Sequence, residues 1–361
     1  TGSNGNLYSF SIRSTDGAGN THTTGCSAQI LLDTSAPNAA TALAWTTSSP
    51  SSVTGVTASW AVGGSADASS QSVQFYADAT CTATTGGAIA VGPGVTTQAF
   101  TGVDAGSYSY RVTTADPAGN TSLSACSGNM KIDTSAPLAP SGLVWFESSP
   151  FNSLTVTPQW SLSGSIDVTA QRIDYYQVAA CGGGITSTAA LAAGATTTSF
   201  TGASGNTYYF IVTAIDAAGN ETSSPCVGSG MLLDIDPPLN ATALTWTTSS
   251  PSTSANVTAS WTASASADVA SQTINYFVDG TCTTPAGTSA SLAAGAGTHA
   301  FTGTSGNNYY YKITTTDNAG NFSNSSCSTE MRIDNTAPTA ATSLGWAEIA
   351  PHNNLLVTAV W

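Results

Sequence analysis

The chain has 361 residues, with 20 Asp and Glu against 6 Lys and Arg and a formal net charge of −14 at pH 7. A surface of that sign repels phosphate backbones and argues against nucleic acid as a partner, and no apolar run approaches the ~20 residues that span a bilayer. Solubility must rest on Thr, Ser, Asn and Gly, a composition closer to secreted β-rich surface proteins than to cytosolic enzymes.

An Asp-x-Ala-Gly-Asn turn punctuates the chain four times, beginning at Asp16, Asp116, Asp216 and Asp317. Each copy leads to an Asp-to-Pro linker: Asp33 to Pro37, Asp133 to Pro137, Asp234 to Pro238 and Asp334 to Pro338. Trp45, Trp145, Trp246 and Trp346 keep step with it, as do Trp60, Trp160, Trp261 and Trp361. This is a tandem array of one domain-sized unit. The expected divisions are a partial repeat over 1–33, full repeats over 34–133, 134–234 and 235–334, and a partial repeat over 335–361. On this reading residues 1–33 supply only strands F and G, and the last segment only A and B. The chain reads as a window cut from a longer array.

Within the second full repeat, alternation and turn residues predict strand A over 141–146, B over 153–162 and C over 171–179. A Gly/Ala/Thr-rich stretch, 181–195, should hold a short edge strand. Strands E (197–200), F (206–215) and G (222–233) follow. No segment carries a helical period over eleven residues. Seven short strands per hundred residues predict an all-β Greek-key sandwich.

The order Leu143, Trp160, Tyr176, then Phe200-Thr201-Gly202 ahead of Tyr208 and the strand running into Asp216, resembles a fibronectin type III domain. The Asp-x-Ala-Gly-Asn turn joined to an Asp-to-Pro linker is similar to the bacterial Ig-like repeats of large extracellular adhesins. The resemblance implies tandem Ig-like or fibronectin type III-like sandwiches, and covers all the repeats. It makes Tyr108, Tyr208 and Tyr309 tyrosine-corner residues, tying the E–F crossover to nearby backbone. The core is expected to centre on the strand B tryptophan, with strand C and F aromatics against it.

Each full repeat has two cysteines 45 residues apart, which predicts the disulfides Cys81–Cys126, Cys181–Cys226 and Cys282–Cys327 in an oxidising, extracellular compartment. Metal ligation is the rival; there is no Cys-x-x-Cys, and His22, His299 and His352 do not repeat. Most adhesin repeats of this type lack such a bridge. The pairing also poses a geometric problem, because strand F should lie between the two cysteines. One further irregularity stands out. Cys226 is eight residues from Asp234, where the other repeats have seven, and a β-bulge near Val227-Gly228-Ser229-Gly230 would absorb the extra residue.

No catalytic set clusters or repeats, so the chain reads as non-enzymatic and without an organic cofactor. Aspartates are the better lead. Strand G ends at one pole of its sandwich, and the B–C and F–G loops of the next repeat should face it. Asp33, Asp67 and Asp116 should therefore meet at one junction, Asp133, Asp167 and Asp216 at the next, and Asp234, Asp268 and Asp317 at the third. Three carboxylates at a backbone-rich junction suit Ca²⁺. The competing reading makes each a local turn residue. The preferred function is a structural extracellular rod or surface filament, an adhesin stalk or fibre. Its partners would be copies of itself or cell-surface and matrix components. The alternative is a set of spacer modules of a secreted carbohydrate-active enzyme. Ligand binding by the Gly-rich 182–194 loop ranks last.

Overall fold

Side-chain alternation decides the strands. In strand B of the first full repeat, Gly55–Ala61, the side chains of Val56, Ala58 and Trp60 are buried while Thr57 and Ser59 are half-buried, the period of two of a sheet with one face on a core. A computed structural model describes residues 1–351 and 353–361; His352 lies outside them. Among the described residues there is one short helical segment, a 3-10 turn at Ala179–Cys181.

Each full repeat is an antiparallel sandwich with strands A, B and E in one layer and C′, C, F and G in the other, the fibronectin type III-like arrangement. In the first repeat A is Thr41–Trp45, B Gly55–Ala61 and E Thr97–Thr101. The facing sheet holds C (Ser70–Tyr76), C′ (Thr84–Val91), F (Ser107–Ala115) and a two-part G (Thr121–Leu123 and Met130–Lys131). The third repeat follows the same plan: A Thr242–Trp246, B Asn256–Thr262, C Val269–Phe277, C′ Pro285–Ala293, E Thr298–Thr302, F Asn308–Asp317, and G in Phe322–Asn324 and Met331–Arg332. After strand A the chain crosses layers and touches strand G in parallel, at Ser51–Ile132, Phe151–Leu233 and Ser252–Ile333. In the N-terminal segment Asn6–Tyr8 pairs with Ile30–Leu32 and Arg13–Thr15 with Thr21–Thr23. In the C-terminal one Gly345–Trp346 pairs with Ala359–Val360.

The second repeat departs from the expected strands at B, C, E and G, with C lying three residues earlier than expected, at Val168–Tyr176. Strand B is split into Thr155–Val156 and Pro158–Ser161, and E shrinks to Phe200–Thr201. Pro158 occupies the position of Ala58, whose ladder partner is Gln98; proline has no N–H to donate there, so the ladder breaks. Its other strands are A Ser141–Trp145, C Val168–Tyr176, C′ Ser187–Ala192 and F Asn206–Asp216. Strand G is not continuous over 222–233 but runs as Glu221–Ser223 and Met231–Leu233. The gap recurs in every repeat, where serine hydroxyls take over the ladder: Ser124 Oγ accepts from Val112 N and Ser127 Oγ from Tyr110 N, each at 2.9 Å, while in the second repeat Ser224 Oγ alone does so, from Val212 N at 3.0 Å, since Val227 replaces the other serine. The extra residue of the second repeat lies inside this gap. Val227 N still donates to Phe210 O, as Ser127 N does to Tyr110 O, and Tyr208 still opposes Met231, as Tyr108 opposes Met130. Register is kept on both sides, as a bulge allows.

The strand B tryptophans belong to the core as expected, Trp60, Trp160 and Trp261 all being buried, but most of the ring-to-ring contacts gather elsewhere. The aromatic stack is built around the strand A tryptophan and the strand E phenylalanine: Trp45 meets Tyr110 edge-on at 5.1 Å, and Phe75 stacks on Phe100 at 4.4 Å. The strand B tryptophan sits to one side, its indole N–H paired with a buried glutamine at 2.9 Å in all three repeats: Trp60 with Gln71, Trp160 with Gln171, Trp261 with Gln272. Buried amides demand partners, and the same glutamines donate to carbonyls of the C′–E turn, Gln171 to Ala193 O at 2.7 Å and Ala195 O at 2.9 Å. Tyr108, Tyr208 and Tyr309 each accept a 3.0 Å bond from backbone five residues upstream, at Val103, Ala203 and Thr304. The preceding Gly202 must be glycine, because a Cβ there would lie 2.5 Å from the Tyr208 ring.

The disulfides Cys81–Cys126, Cys181–Cys226 and Cys282–Cys327 close at Cα separations of 5.9, 5.6 and 5.8 Å, within the preferred range. The loop after strand C solves the geometric problem by arching over strand F. Ser109 Oγ, on F, donates to Asp78 O under the arch at 2.7 Å, and Cys126 waits in the gap of strand G. The arch puts the first cysteine in the left-handed region, φ 57° at Cys81, 52° at Cys181 and 52° at Cys282, a cost that surrounding bonds must offset. In the first and third repeats Asp78 and Asp279 provide them: Asp78 accepts from the backbone and hydroxyl groups of Thr80 and Thr82. Closing a 45-residue loop constrains the unfolded chain. Replacing Cys282 and Cys327 together by Ser is expected to destabilise the third repeat alone by about 2–4 kcal/mol, read as a separate, earlier melting step in calorimetry. An unchanged melt would mean that the bridge constrains nothing the sandwich does not already fix.

Candidate functional site at the repeat junctions

The Asp-x-Ala-Gly-Asn sequence folds as a closed turn at the tip of the F–G hairpin. Asp216 Oδ1 accepts from Ala218 N at 2.8 Å and Asn220 N at 2.9 Å, and its Oδ2 from Asn220 Nδ2 at 2.8 Å. Asp116 and Asp317 repeat the bonds to Asn120 and Asn321. Gly119, Gly219 and Gly320 take φ of 92°, 88° and 94°, where a side chain would strain the turn. The Asp116 carboxylate is buried. Burial pushes its pKa up, but the side-chain and backbone donors of Asn120 outweigh it and hold the carboxyl below its ordinary value.

The asparagine reaches out of its own repeat. Asn120 Nδ2 donates to Asp33 O at 3.2 Å, Asn220 to Asp133 O at 2.8 Å, and Asn321 to Asp234 O at 2.8 Å. Each acceptor is the first residue of the linker that leads into the repeat. Further along, the B–C loop holds the linker again, through Ser65 Oγ accepting from Asn38 N, Ser165 Oγ from Leu138 N and Ser266 Oγ from Leu239 N. The preceding repeat holds it from the other side with its E–F turn. Asp104 accepts from Thr134 N and Ser135 Oγ, both at 2.6 Å; Ser204 Oγ accepts from Ile235 N and Ser305 Oγ from Asn335 N. The linker is therefore bonded to both sandwiches. The serines recur in register with the repeat, Ser65, Ser165 and Ser266 each two residues before the B–C loop aspartate, but their role was not legible because the backbone they bond lies some 30 residues away.

At each junction three carboxylates converge. Asp33, Asp67 and Asp116 have oxygens within 4.8 Å of one another, and so do Asp133, Asp167 and Asp216, and Asp234, Asp268 and Asp317. In each set the F–G turn aspartate is buried and the B–C loop aspartate exposed. The linker aspartate also has the local turn role: Ser135 N bonds Asp133 Oδ1 at 3.3 Å. Two negative charges at that range repel by roughly 3–4 kcal/mol at an effective dielectric of ~20. The donor set is all oxygen, which suits Ca²⁺ and not Zn²⁺. Asp216 retains lone pairs beyond those its turn uses. A cleft of about 440 Å³ adjoins the middle junction, lined by Asp104 and Asp133 on one side and Asp167 and Ala217 on the other.

Two outcomes follow from this bonding. Asn220→Ala removes the bonds to the Asp216 carboxylate and to the linker, so the second repeat should lose about 1–3 kcal/mol. Limited proteolysis should then cut within 134–137 faster than at the other linkers; equal cutting at all three would deny Asn220 its linking role. The second outcome concerns acid. Hydrogen bonds from Ser135 and Thr134 hold the Asp104 carboxyl down to about 2, against an ordinary value of about 3.9. Its folded pKa is depressed, so the latch is complete above about pH 4 and is lost as the pH falls through about 2. The Thr134 amide resonance should report that transition, and Asp104→Ser, the residue of the next repeat, should abolish it. A Thr134 midpoint near 4 would contradict the latch.

No family model matches the chain, and no curated protein matches it. Among solved structures, a crystal structure of the chicken CNTN1 FN1-FN3 domains aligns with 13% identity and a TM-score of 0.35, covering 81% of this chain and 99% of that one. At that identity and score the likeness adds nothing to the strand topology described above.

Proposed function

We propose that this chain is part of an extended, non-catalytic extracellular rod, an adhesin stalk or surface fibre, whose repeat junctions are stiffened by Ca²⁺. One observation carries the reading: at three successive junctions the linker's first residue is bonded by the asparagine of the following repeat, while the E–F turn of the preceding repeat holds the linker residues just after it. A flexible tether needs no such bonds; a spacer that must hold its direction does. Three disulfides support an oxidising compartment, and no helix among the described residues is long and apolar enough to cross a membrane. A spacer in a secreted carbohydrate-active enzyme would use the same mechanics with a different cargo. For the rod, the partners are other copies of the chain or components of the cell surface and matrix. Asp133, Asp167 and Asp216, and their equivalents at the other junctions, would hold the ion, which would cancel the repulsion between carboxylates contributed by two sandwiches.

Small-angle scattering with and without chelator tests the reading. The chain is expected to scatter as an elongated particle that becomes shorter and more flexible on chelation, with each sandwich still folded. Asp133→Ala should reproduce the change at one junction. A compact particle in both conditions would sink the rod. A long particle indifferent to chelator and to Asp133→Ala would leave the rod standing and reduce the aspartates to turn residues.

A further inference from the structure

The second repeat differs from its neighbours at the seam between strands A and G. In the first and third repeats the strand A tryptophan donates its indole N–H to a strand G carbonyl, Trp45 to Gly128 O at 2.9 Å and Trp246 to Thr329 O at 3.0 Å. Both bonds span 83 residues, so the equivalent acceptor for Trp145 is Gly228 O. The extra residue of strand G follows immediately after it. Trp145 Nε1 is fully buried and has no partner among the described residues.

Beside it the seam opens into a cleft of about 330 Å³, at the lower end of the range of small-molecule sites. Leu143, Val227 and Met231 give it apolar walls, and Val227 stands where the first and third repeats have Ser127 and Ser328. Glu147 lies on its rim, where the other full repeats have Thr47 and Thr248. One oxygen of Glu147 accepts from Thr157 N at 2.9 Å, which leaves the other able to accept. Ser149 and Ser229 add hydroxyls. Two substitutions and one insertion thus combine at one place: a lost serine, a gained carboxylate, and a widened strand that frees an indole N–H.

We propose that this cleft binds a neutral polyhydroxylated ligand of about one pyranose ring. The indole N–H is closed to water in the free protein and gains an acceptor when the Gly228–Gly230 segment beside it yields to a ligand hydroxyl, while the free Glu147 oxygen takes a donor from the same ligand. A hydroxyl supplies both, and the C–H face of a sugar ring suits the Leu143, Val227 and Met231 walls. An anion would meet Glu147 and the net charge of −14; a cation would turn positive charge towards the indole N–H.

The test uses the whole ¹⁵N-labelled chain and its indole N–H resonances, with Trp145 assigned by Trp145→Phe. Methyl hexopyranosides are titrated in, and N-methylacetamide separately as a mimic of a peptide backbone. Binding in the millimolar range, about −4 kcal/mol, should shift the Trp145 resonance saturably and leave those of Trp45 and Trp246 in place. Deleting Ser229 restores the seven-residue spacing and should weaken the titration at least tenfold. Glu147→Thr, which restores the residue type of the other repeats, keeps the test available if the deletion misfolds, and should weaken binding about tenfold. A Trp145 resonance unmoved by any sugar, or sugar shifts equal at all the tryptophans, would overturn the proposal. Saturation by the amide without response to sugars would overturn it in favour of a peptide strand.

Discussion

Asp216 and Asn220 hold each other across a five-residue turn, and Asn220 then grips the linker that precedes its own repeat. The rest of the architecture depends on this clasp, repeated at Asp116 and Asn120 and at Asp317 and Asn321. It closes the F–G hairpin, buries a carboxylate among donors that make burial tolerable, and converts a chain connection into a bonded junction. Because the turn stands at the end of strand F, any rotation between sandwiches must break it or carry the whole sheet along.

Inside each sandwich the same economy of polar partners recurs. A buried indole meets a buried glutamine, which meets the carbonyls of a turn. A tyrosine hydroxyl meets the backbone of its own crossover. In the first and third repeats the hydroxyls of Tyr110 and Tyr311 also reach strand A, at Ala44 O and Thr245 O. With few charges to form ion pairs, specificity rests on neutral hydrogen bonds buried where water does not compete. Among the described residues the Arg172 guanidinium with Asp174 and Glu221 is the exception, confined to the second repeat.

That repeat is the divergent one throughout. Pro158 breaks its B–E ladder, Phe210 stands where its neighbours have a hydroxyl, and Tyr175 buries an unpaired one that in the third repeat meets His299 at 2.8 Å. These changes are spread over strands B, C and F, and the altered seam between strands A and G adds to them.

By itself the sequence determined the repeat, the sandwich, the one-bridge-per-repeat pairing and the three sets of aspartates that meet between repeats. Those features are periodic, and period is what one chain displays: strands alternate by two, and Asp133, Asp167 and Asp216 return in register with every copy. The tertiary structure decided what depends on contact. It placed Trp45 rather than Trp60 at the centre of the aromatic stack, and it interrupted strand G where serine hydroxyls replace the ladder. The arch over strand F became visible only there, since a loop's path across a neighbouring strand leaves no local pattern. The recurrence of Gln71, Gln171 and Gln272 was legible as an eleven-residue offset from tryptophan, but its meaning required the indole to be seen buried. The Trp145 cleft lay furthest from reach, because one inserted residue acts there by moving a carbonyl away from a partner 83 positions distant.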